Sequence, residues 1–243
     1  MNLYGMDIKI GPISDDASFL KPIIEQWVKL HRDYSEVSPG RNRYLFNERA
    51  NLSAFAGAIW RCGGYVVEEY SARKGDKKSV GRIDLYFLYN GKEVICEAKH
   101  GWLLLSGQKN KGSYIKDILY HHLLASRDLQ ETLKANTESH GLSLTFITSY
   151  WNEKNEELKE GEKRHAGEIV GQIKAELEEL EEPEKIANLK EFKELKKLKK
   201  MKNIEEFEAF TGKNLFYAYI DVKDKKFKPL ILVGQYHGKP EPG

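Results

Sequence analysis

The chain has 243 residues, which is long enough to bury a substantial core and allows one large domain or one domain with an insertion. Its 40% hydrophobic and 11% aromatic residues exclude disorder throughout, while 31% charged residues indicate long solvated helices. The formal net charge of +2 decides little about partners, because acidic and basic residues are clustered locally along the chain.

The cysteines and the N-terminal sequence restrict the class of protein further. Cys62 and Cys96 fall in no metal-ligand or redox spacing, and two cysteines are too few for a disulfide framework. We therefore expect two buried thiols. No basic N-terminal segment precedes an apolar core, and no window approaches a membrane-spanning run. These features predict a soluble, cytoplasmic protein without a membrane partner.

Two helices are predicted in the first quarter of the chain. Residues 14–34 place apolar side chains at helical spacing behind Ser14 as a cap. After a loop, a second helix is expected from the cap Asn47 to a pair of glycines. Its apolar stripe continues back to Glu48, which places this carboxylate on the packed face at the helix N-terminus, where the dipole favours a negative charge. A carboxylate on a packed face needs a partner.

Four strands and a further helix are predicted in the middle of the chain. Apolar runs predict strands at 65–70, 80–89, 93–99 and 142–151, and a helix at about 113–134 lies between the third and the fourth. The order of helix, three strands, helix and strand indicates a mixed sheet flanked by helices, an α/β or α+β fold.

The segment 153–213 differs in composition, since Glu and Lys dominate it. Apolar residues recur at helical spacing on both sides of Pro183, which predicts two amphipathic helices forming a hairpin. Two predicted strands then return the chain to the sheet. We therefore predict a core of residues 1–152 and 214–243 that carries a charged helical hairpin insertion.

A tight hairpin is predicted at Asn90 and Gly91, because a type I′ turn needs positive φ at both central positions and these residues tolerate it. The register of such a turn sets Asp84 directly opposite Glu97 in a non-hydrogen-bonded pair, whose side chains lie close. The other face of the first strand takes Ile83, Leu85 and Phe87.

Two facing carboxylates need a compensating charge, since at about 5 Å and an effective dielectric of about 20 they repel by about 3 kcal/mol. A divalent cation bound by both would offset this, and such oxygen ligands suit Mg²⁺ or Mn²⁺. Lys99 shares their face by strand alternation, and the backbone carbonyl of Ala98 could add a ligand. Alternatively, Asp84 and Glu97 lie on a solvated face beside Arg82 and Lys99, and a bulge would alter the register.

Glu48, Asp84 and the run Glu-Ala-Lys at 97–99 resemble the motif of the PD-(D/E)XK nuclease superfamily, which has the restriction-endonuclease-like fold. That motif is a helix bearing an acid, a strand bearing Asp and a hairpin strand bearing Glu-x-Lys. The resemblance covers about residues 46–150 in order and approximate spacing. The proline that precedes the aspartate in the superfamily is replaced by Ile83.

The resemblance implies metal-dependent hydrolysis of phosphodiester bonds. One or two Mg²⁺ ions would activate a water and stabilise charge on the phosphate, bound by Asp84, Glu97 and the Ala98 carbonyl. Lys99 would orient or help to deprotonate the water. Glu48 would bind a second metal or its water shell, with Glu69 of the intervening strand as a weaker competitor.

A glycine- and lysine-rich loop follows the motif and leads into the predicted helix. Lysines beside a metal site could contact phosphates without reading sequence, which assigns nucleic-acid binding to Lys109, Lys111 and Lys116. The alternative is a solvated loop, because exposed lysines are common. Of the neighbouring His121 and His122, we expect one to pack and the other to approach the site.

We therefore predict a Mg²⁺- or Mn²⁺-dependent endonuclease acting on DNA, in restriction, repair or mobile-element defence. One alternative is a catalytically inactive module of the same fold that binds nucleic acid or protein, although the intact Asp84, Glu97 and Lys99 favour activity. Another is an unrelated α+β protein in which the charged hairpin is a dimerisation element and the carboxylates are surface residues. The sequence is compatible with DNA or RNA as the substrate and with a monomer or a homodimer.

Overall fold

The computed structural model describes residues 6–11, 13–37, 47–73, 80–104, 111–150, 214–222 and 230–239. The charged hairpin predicted at 153–213 lies outside these residues and stays a prediction. The described residues form seven strands, three α-helices and one 3-10 helix. None of these helices is both long and apolar enough to cross a membrane.

The elements agree with the predicted order, with one additional strand at the start. In chain order they are β1 (Met6–Ile10), a 3-10 helix (Asp15–Leu20), α1 (Lys21–Val37), α2 (Glu48–Arg61), β2 (Tyr65–Arg73), β3 (Val80–Tyr89), β4 (Lys92–Leu104), α3 (Lys111–Leu133), β5 (His140–Tyr150), β6 (Leu215–Val222) and β7 (Leu230–His237). Strand β1 had not been predicted.

The two predicted helix starts differ in outcome. The first predicted helix is split, because Pro22 has no N–H to donate and is tolerated only in the first turn of an α-helix, so a 3-10 helix precedes α1. Ser14 occupies the N-cap position, but its side chain makes no capping hydrogen bond. Asn47 does cap α2, since its side chain accepts the Ala50 N–H at 2.7 Å.

All seven strands form one mixed sheet in the order β1-β6-β7-β5-β4-β3-β2. Strands β4 and β5 are parallel, and α3 connects them, whereas every other neighbouring pair is antiparallel. Strands β6 and β7 return beside β5, as the predicted core requires. The chain is therefore an α+β protein with helices packed on a mixed sheet.

Helices cover both faces of the sheet. The larger core lies under α1 and α2 and includes fully buried Trp27, Phe55, Phe87, Phe146 and Phe216. A smaller cluster under α3 contains Ile83, Ile95, Leu129 and Leu133. Helix α3 also buries polar side chains against the sheet, and these matter for the candidate site.

Both cysteines carry free thiols, and only one of them is fully buried. Cys96 lies inside β4, as predicted, whereas Cys62 at the end of α2 is half-buried. The Cys62 thiol donates to the Pro22 carbonyl at 3.4 Å. The expectation of two buried thiols is therefore confirmed for Cys96 and only partly for Cys62.

His122 is the packing member of the histidine pair. Its Nδ1 is 3.3 Å from Thr145 Oγ1, and burial lowers the pKa of this histidine to about 4, so the ring is neutral at physiological pH. His121 lies against Gly101 of β4, where an added Cβ would stand 3.1 Å from the imidazole.

The hairpin forms at the predicted turn. Asn90 and Gly91 have φ angles of 49° and 71°. Strands β3 and β4 pair from this turn as far as Leu85 and Cys96, in the predicted register. The ladder ends there, one step before the two carboxylates, so the predicted face-to-face pair does not form.

A backbone irregularity crosses β2 and β3 at the same level. Glu69 has a φ of 53°, and the antiparallel pairing passes over Glu69 and Asp84 without joining them. Beyond this point the side chains change face, so Ile83 packs under α3 while Leu85 and Phe87 pack under α1 and α2. The predicted position of Ile83 beside Leu85 and Phe87 is therefore wrong, because the regular alternation of β3 is interrupted at this irregularity while the β2–β3 register stays the same.

Candidate active site

Where the β3–β4 ladder ends, two carboxylates accept hydrogen bonds from backbone N–H groups of β4. In this register Ala98 and His100 direct their N–H groups towards β3, as Cys96 does within the ladder. Asp84 Oδ2 accepts the Ala98 N–H at 2.7 Å, and the Glu48 carboxylate accepts the His100 N–H. Asp84 and Glu48 thus lie side by side along the same edge of β4.

Glu48 is the first residue of α2, where the helix dipole favours its ionised form. Burial nevertheless raises the pKa of the Glu48 carboxyl. The charge of Lys99 and the His100 N–H oppose this rise, while the neighbouring charge of Asp84 adds to it. Two other members of the predicted motif, Asp84 and Lys99, are therefore among the residues that surround Glu48.

Glu97 faces α3 and is 2% exposed. Thr132 Oγ1 lies 3.0 Å from Glu97 Oε1 and 3.0 Å from the Asp128 carbonyl oxygen. Because a hydroxyl has one proton, Thr132 donates to one of these acceptors at a time. A buried carboxylate with a helix donor contradicts the alternative in which Glu97 lies on a solvated face.

Lys99 also contacts α3. Its Nζ lies 3.0 Å from Asp128 Oδ2 and donates to the Ala98 carbonyl at 3.1 Å. Arg127 Nη2 binds the other carboxylate oxygen of Asp128 at 2.9 Å. Helix α3 therefore fixes both motif residues of β4 that point towards it, Glu97 through a hydroxyl and Lys99 through a carboxylate.

The Lys99–Asp128 pair is ionised at neutral pH. Burial lowers the pKa of Lys99, but the hydrogen bond and charge of Asp128, with the other nearby carboxylates, outweigh burial and leave this pKa raised. Burial raises the pKa of Asp128, but hydrogen bonds from Arg127 and Lys99 outweigh it and leave that pKa lowered. The ammonium of Lys99 is therefore a fixed positive charge in the site.

The structure brings the predicted motif residues together but does not place the predicted phosphate-binding lysines beside them. The motif residues are Glu48, Asp84, Glu97, Ala98 and Lys99. Of the predicted phosphate-binding lysines, Lys109 lies outside the described residues, and Lys111 and Lys116 are in the first two turns of α3. At 1.5 Å per residue they are about 25 Å and 18 Å along the helix from Asp128, so their role stays a prediction.

The contacts of Glu69 do not fit the metal-binding role that the sequence left open for it. Its carboxylate pairs with Arg49 and with Arg82, whose Nη1 is 2.8 Å from Glu69 Oε2. A glutamate held by two arginines is a poor candidate for a metal ligand. Arg82 is engaged by Glu69, whereas the solvated-face alternative placed Arg82 beside Asp84 and Glu97.

Asp128 and Thr132 were not found from the sequence. They are four residues apart on α3 and border the apolar stripe that contains Leu129 and Leu133. Two short polar residues at helical spacing next to a core stripe would have been a signal that this helix edge faces polar groups of the sheet.

The donor set suits an oxygen-ligated cation. Mg²⁺ commonly takes one or two protein carboxylates and keeps several waters. Asp84 is bound through Oδ2, so its Oδ1 can coordinate a cation without breaking the hydrogen bond to Ala98. Within the described ranges, no group of three or more His, Cys, Asp or Glu side chains is already arranged to hold a metal. The ligands that fit are the carboxylates of Asp84 and Glu97 and the carbonyl of Ala98. In the structure, this carbonyl accepts a hydrogen bond from Lys99.

Comparisons with known proteins do not identify the chain. No family model matches it, and neither a curated protein nor a solved structure does. The functional interpretation therefore depends on the geometry above and on the motif resemblance.

We predict that Thr132→Val destabilises the protein by about 1–3 kcal/mol, because the buried Glu97 carboxylate loses a hydroxyl donor while the side-chain shape is kept. Thr132→Ser, which retains the hydroxyl, is the matched control and should lose less. Urea denaturation measures the free energy of unfolding of each. A Val variant as stable as the wild type would show that the Thr132–Glu97 contact contributes nothing.

The raised pKa of Glu48 predicts a pH-dependent effect of Glu48→Gln. A carboxyl with a folded-state pKa above its unfolded value binds its proton more tightly when folded, so its contribution to stability falls as pH rises between the two values. Without divalent metal, Glu48→Gln should therefore be more stable than the wild type at pH of about 7, and the difference should disappear near pH 4.

Urea denaturation in EDTA at the two pH values tests this, with exposed Glu36→Gln on α1 as the control. A Glu48→Gln variant that is less stable than the wild type by the same amount at both pH values would contradict the burial of an unfavourable charge.

Proposed function

We propose that the chain is a Mg²⁺- or Mn²⁺-dependent nuclease of the PD-(D/E)XK type, which hydrolyses phosphodiester bonds in DNA as an endonuclease. The observation that carries the proposal is the joint placement of Glu48, Asp84 and Lys99 at the end of the β3–β4 ladder. Two carboxylates and an ammonium on one edge of a strand form a charge arrangement suited to a metal ion and a phosphate.

The order of elements supports the restriction-endonuclease-like fold within this proposal. Helix α2 carries Glu48, β3 carries Asp84, and β4 of the same hairpin carries Glu97 and Lys99. Helix α3 then leads to β5, which lies parallel to β4 in the sheet. This is the helix, three strands, helix and strand order predicted from the sequence, and its first elements follow the order of the motif.

Asp84, Glu97 and the Ala98 carbonyl would hold the metal, and Glu48 would bind a second ion or its water shell. A bound Mg²⁺ ion supplies an activated water and charge stabilisation for the phosphate. The chain itself contributes the orientation of these oxygens: the Ala98 N–H fixes Asp84, Thr132 fixes Glu97, and the His100 N–H fixes Glu48.

Lys99 acts as a fixed cation in this proposal. Its raised pKa makes removal of a proton from water unfavourable, because the ammonium has no free electron pair at neutral pH. It instead holds the attacking water or stabilises negative charge that develops on the phosphate. Asp128 is a positioning residue, since it acts through its contact with Lys99 and lies on α3, which carries none of the motif residues.

A catalytically inactive module of the same fold is the second candidate, and one observation favours it. Asp84 and Glu48 each accept a backbone N–H of β4, so both carboxylates have a structural role without any metal. Calorimetric titration with Mn²⁺ separates the two candidates, because an inactive module of this kind predicts no Mn²⁺ binding at Asp84.

The nuclease proposal predicts Mg²⁺- or Mn²⁺-dependent nicking or cleavage of supercoiled plasmid by the wild-type chain. Asp84→Asn should lower the rate about 100-fold or more, because the amide keeps an acceptor for the Ala98 N–H but loses the charge that binds the cation. Asp33→Asn, which breaks an exposed ion pair with Arg32 on α1, is the control and should cleave normally.

Linear duplex DNA, single-stranded DNA and RNA complete the substrate panel. The nuclease assignment fails if none of these is cleaved with either metal, or if Asp84→Asn cleaves as fast as the wild type.

Asp128→Asn tests the positioning of Lys99. Without the carboxylate, the ammonium loses its ion pair at 3.0 Å, and we expect kcat to fall about 10- to 100-fold with little change in KM. Glu131→Gln on the same helix is the control, since its pair with Lys134 is exposed. Unchanged kcat in Asp128→Asn would show that Lys99 does not need this contact.

A further inference from the structure

Two arginines from different elements meet on one carboxylate at the edge of the candidate site. Arg49 follows Glu48 directly in α2, and Arg82 lies two residues before Asp84 in β3. Both pair with Glu69 of β2, Arg49 through Glu69 Oε1 and Arg82 through Glu69 Oε2. The carboxylate therefore binds one guanidinium with each oxygen.

These ion pairs are exposed, and so a competing anion can displace the carboxylate. The side chains of Arg49 and Arg82 are 76% and 71% exposed, and that of Glu69 is 37% exposed. Exposed ion pairs of this kind contribute little stability. A phosphate group offers negatively charged oxygens with a spacing that planar guanidinium groups bind in pairs, much as they bind a carboxylate.

The backbone at Glu69 sets this arrangement. Its φ of 53° is uncommon for a residue with a side chain, and the β2–β3 pairing omits it together with Asp84. The irregularity that interrupts the β2–β3 pairing at Asp84 is thus also the one at which Glu69 meets the two arginines. The arginine pair and the carboxylates of the candidate site have a common structural origin.

We propose that Arg49 and Arg82 bind a backbone phosphate of the nucleic acid beside the cleaved bond, and that Glu69 occupies this anion site in the free protein. The proposal deepens the proposed nuclease function and rests on it for the identity of the ligand. Contacts of this kind hold a strand without reading its bases, so they add affinity and not sequence preference.

Salt dependence of binding tests the arginines. Fluorescence anisotropy with a labelled DNA duplex, and with an RNA duplex of the same sequence, is measured in EDTA over a range of NaCl concentrations. Each phosphate contact contributes about 0.9 to the slope of log K against log salt. Because the two arginines share one phosphate, the combined Arg49→Gln and Arg82→Gln variant should reduce the slope by about that amount, and each single variant should reduce it by less.

Competition by Glu69 is tested with a double-variant comparison. Glu69→Gln frees the arginines and should tighten binding by up to about fivefold for each ion pair released. If Glu69 competes for the same arginines, this gain disappears when Glu69→Gln is combined with Arg49→Gln and Arg82→Gln. A merely long-range effect of removing one negative charge would give the same gain in both backgrounds.

Lys134→Gln and Glu131→Gln are the matched controls, because they remove one charge of each sign from an exposed pair on α3. They should leave affinity and salt slope unchanged. The proposal is overturned if the arginine variants keep the wild-type slope, if Glu69→Gln acts equally in both backgrounds, or if neither duplex is bound.

The binding assay needs no metal and no cleavage, which separates this proposal from the nuclease function. Arginine-dependent binding by a chain that never cleaves nucleic acid would contradict the proposed nuclease function and leave the phosphate site standing. Metal-dependent cleavage by a chain whose binding is unchanged by substitution of Arg49, Arg82 and Glu69 would contradict only the proposed phosphate site.

Discussion

The hydrogen bond from the Ala98 N–H to Asp84 Oδ2, at 2.7 Å, is the contact on which the candidate site depends. A regular hairpin would give this N–H to the backbone of β3, and Asp84 would then be one side chain on a pleated face. Because the ladder ends after Leu85 and Cys96, the Asp84 carboxylate, and not a backbone carbonyl of β3, accepts the Ala98 N–H. Glu48 does the same at His100, and so the end of the ladder becomes a row of acids.

Such a row of acids is tolerated because α3 supplies the remaining charges and donors. Lys99 lies between the two acid-bound N–H groups along β4, and Asp128 holds its ammonium from the opposite side. Thr132 reaches the buried Glu97 from the next turn of the same helix. Burial without partners would be costly for each of these groups, whereas together they offset one another. The same charge balance would let a divalent cation enter between Asp84 and Glu97, with Lys99 left to face a phosphate.

Local signals in the sequence predicted the hairpin, and long-range packing decided what lies at its open end. Asn90 and Gly91 specify their own turn and therefore the register, so the strand that carries Glu97 and Lys99 was placed correctly. The reversal of Ile83 occurs where the β2–β3 pairing omits Glu69 and Asp84, an irregularity shared by two strands that periodicity along β3 does not encode. Asp128 and Thr132 come from a helix about 30 residues later, and only the packing of α3 on the parallel pair β4 and β5 brings them to the site.

In the proposed function, Asp84 and Glu97 form a cation site although they do not face each other in the ladder. Anomalous diffraction from crystals soaked in Mn²⁺ tests it most directly, because the scattering locates the ion independently of any activity. We predict one strong peak in contact with carboxylate oxygens of Asp84 and Glu97, and its absence from Asp84→Asn crystals. A map without a peak between these residues, or with Mn²⁺ bound only elsewhere, would contradict the claim and leave the carboxylates with a structural role alone.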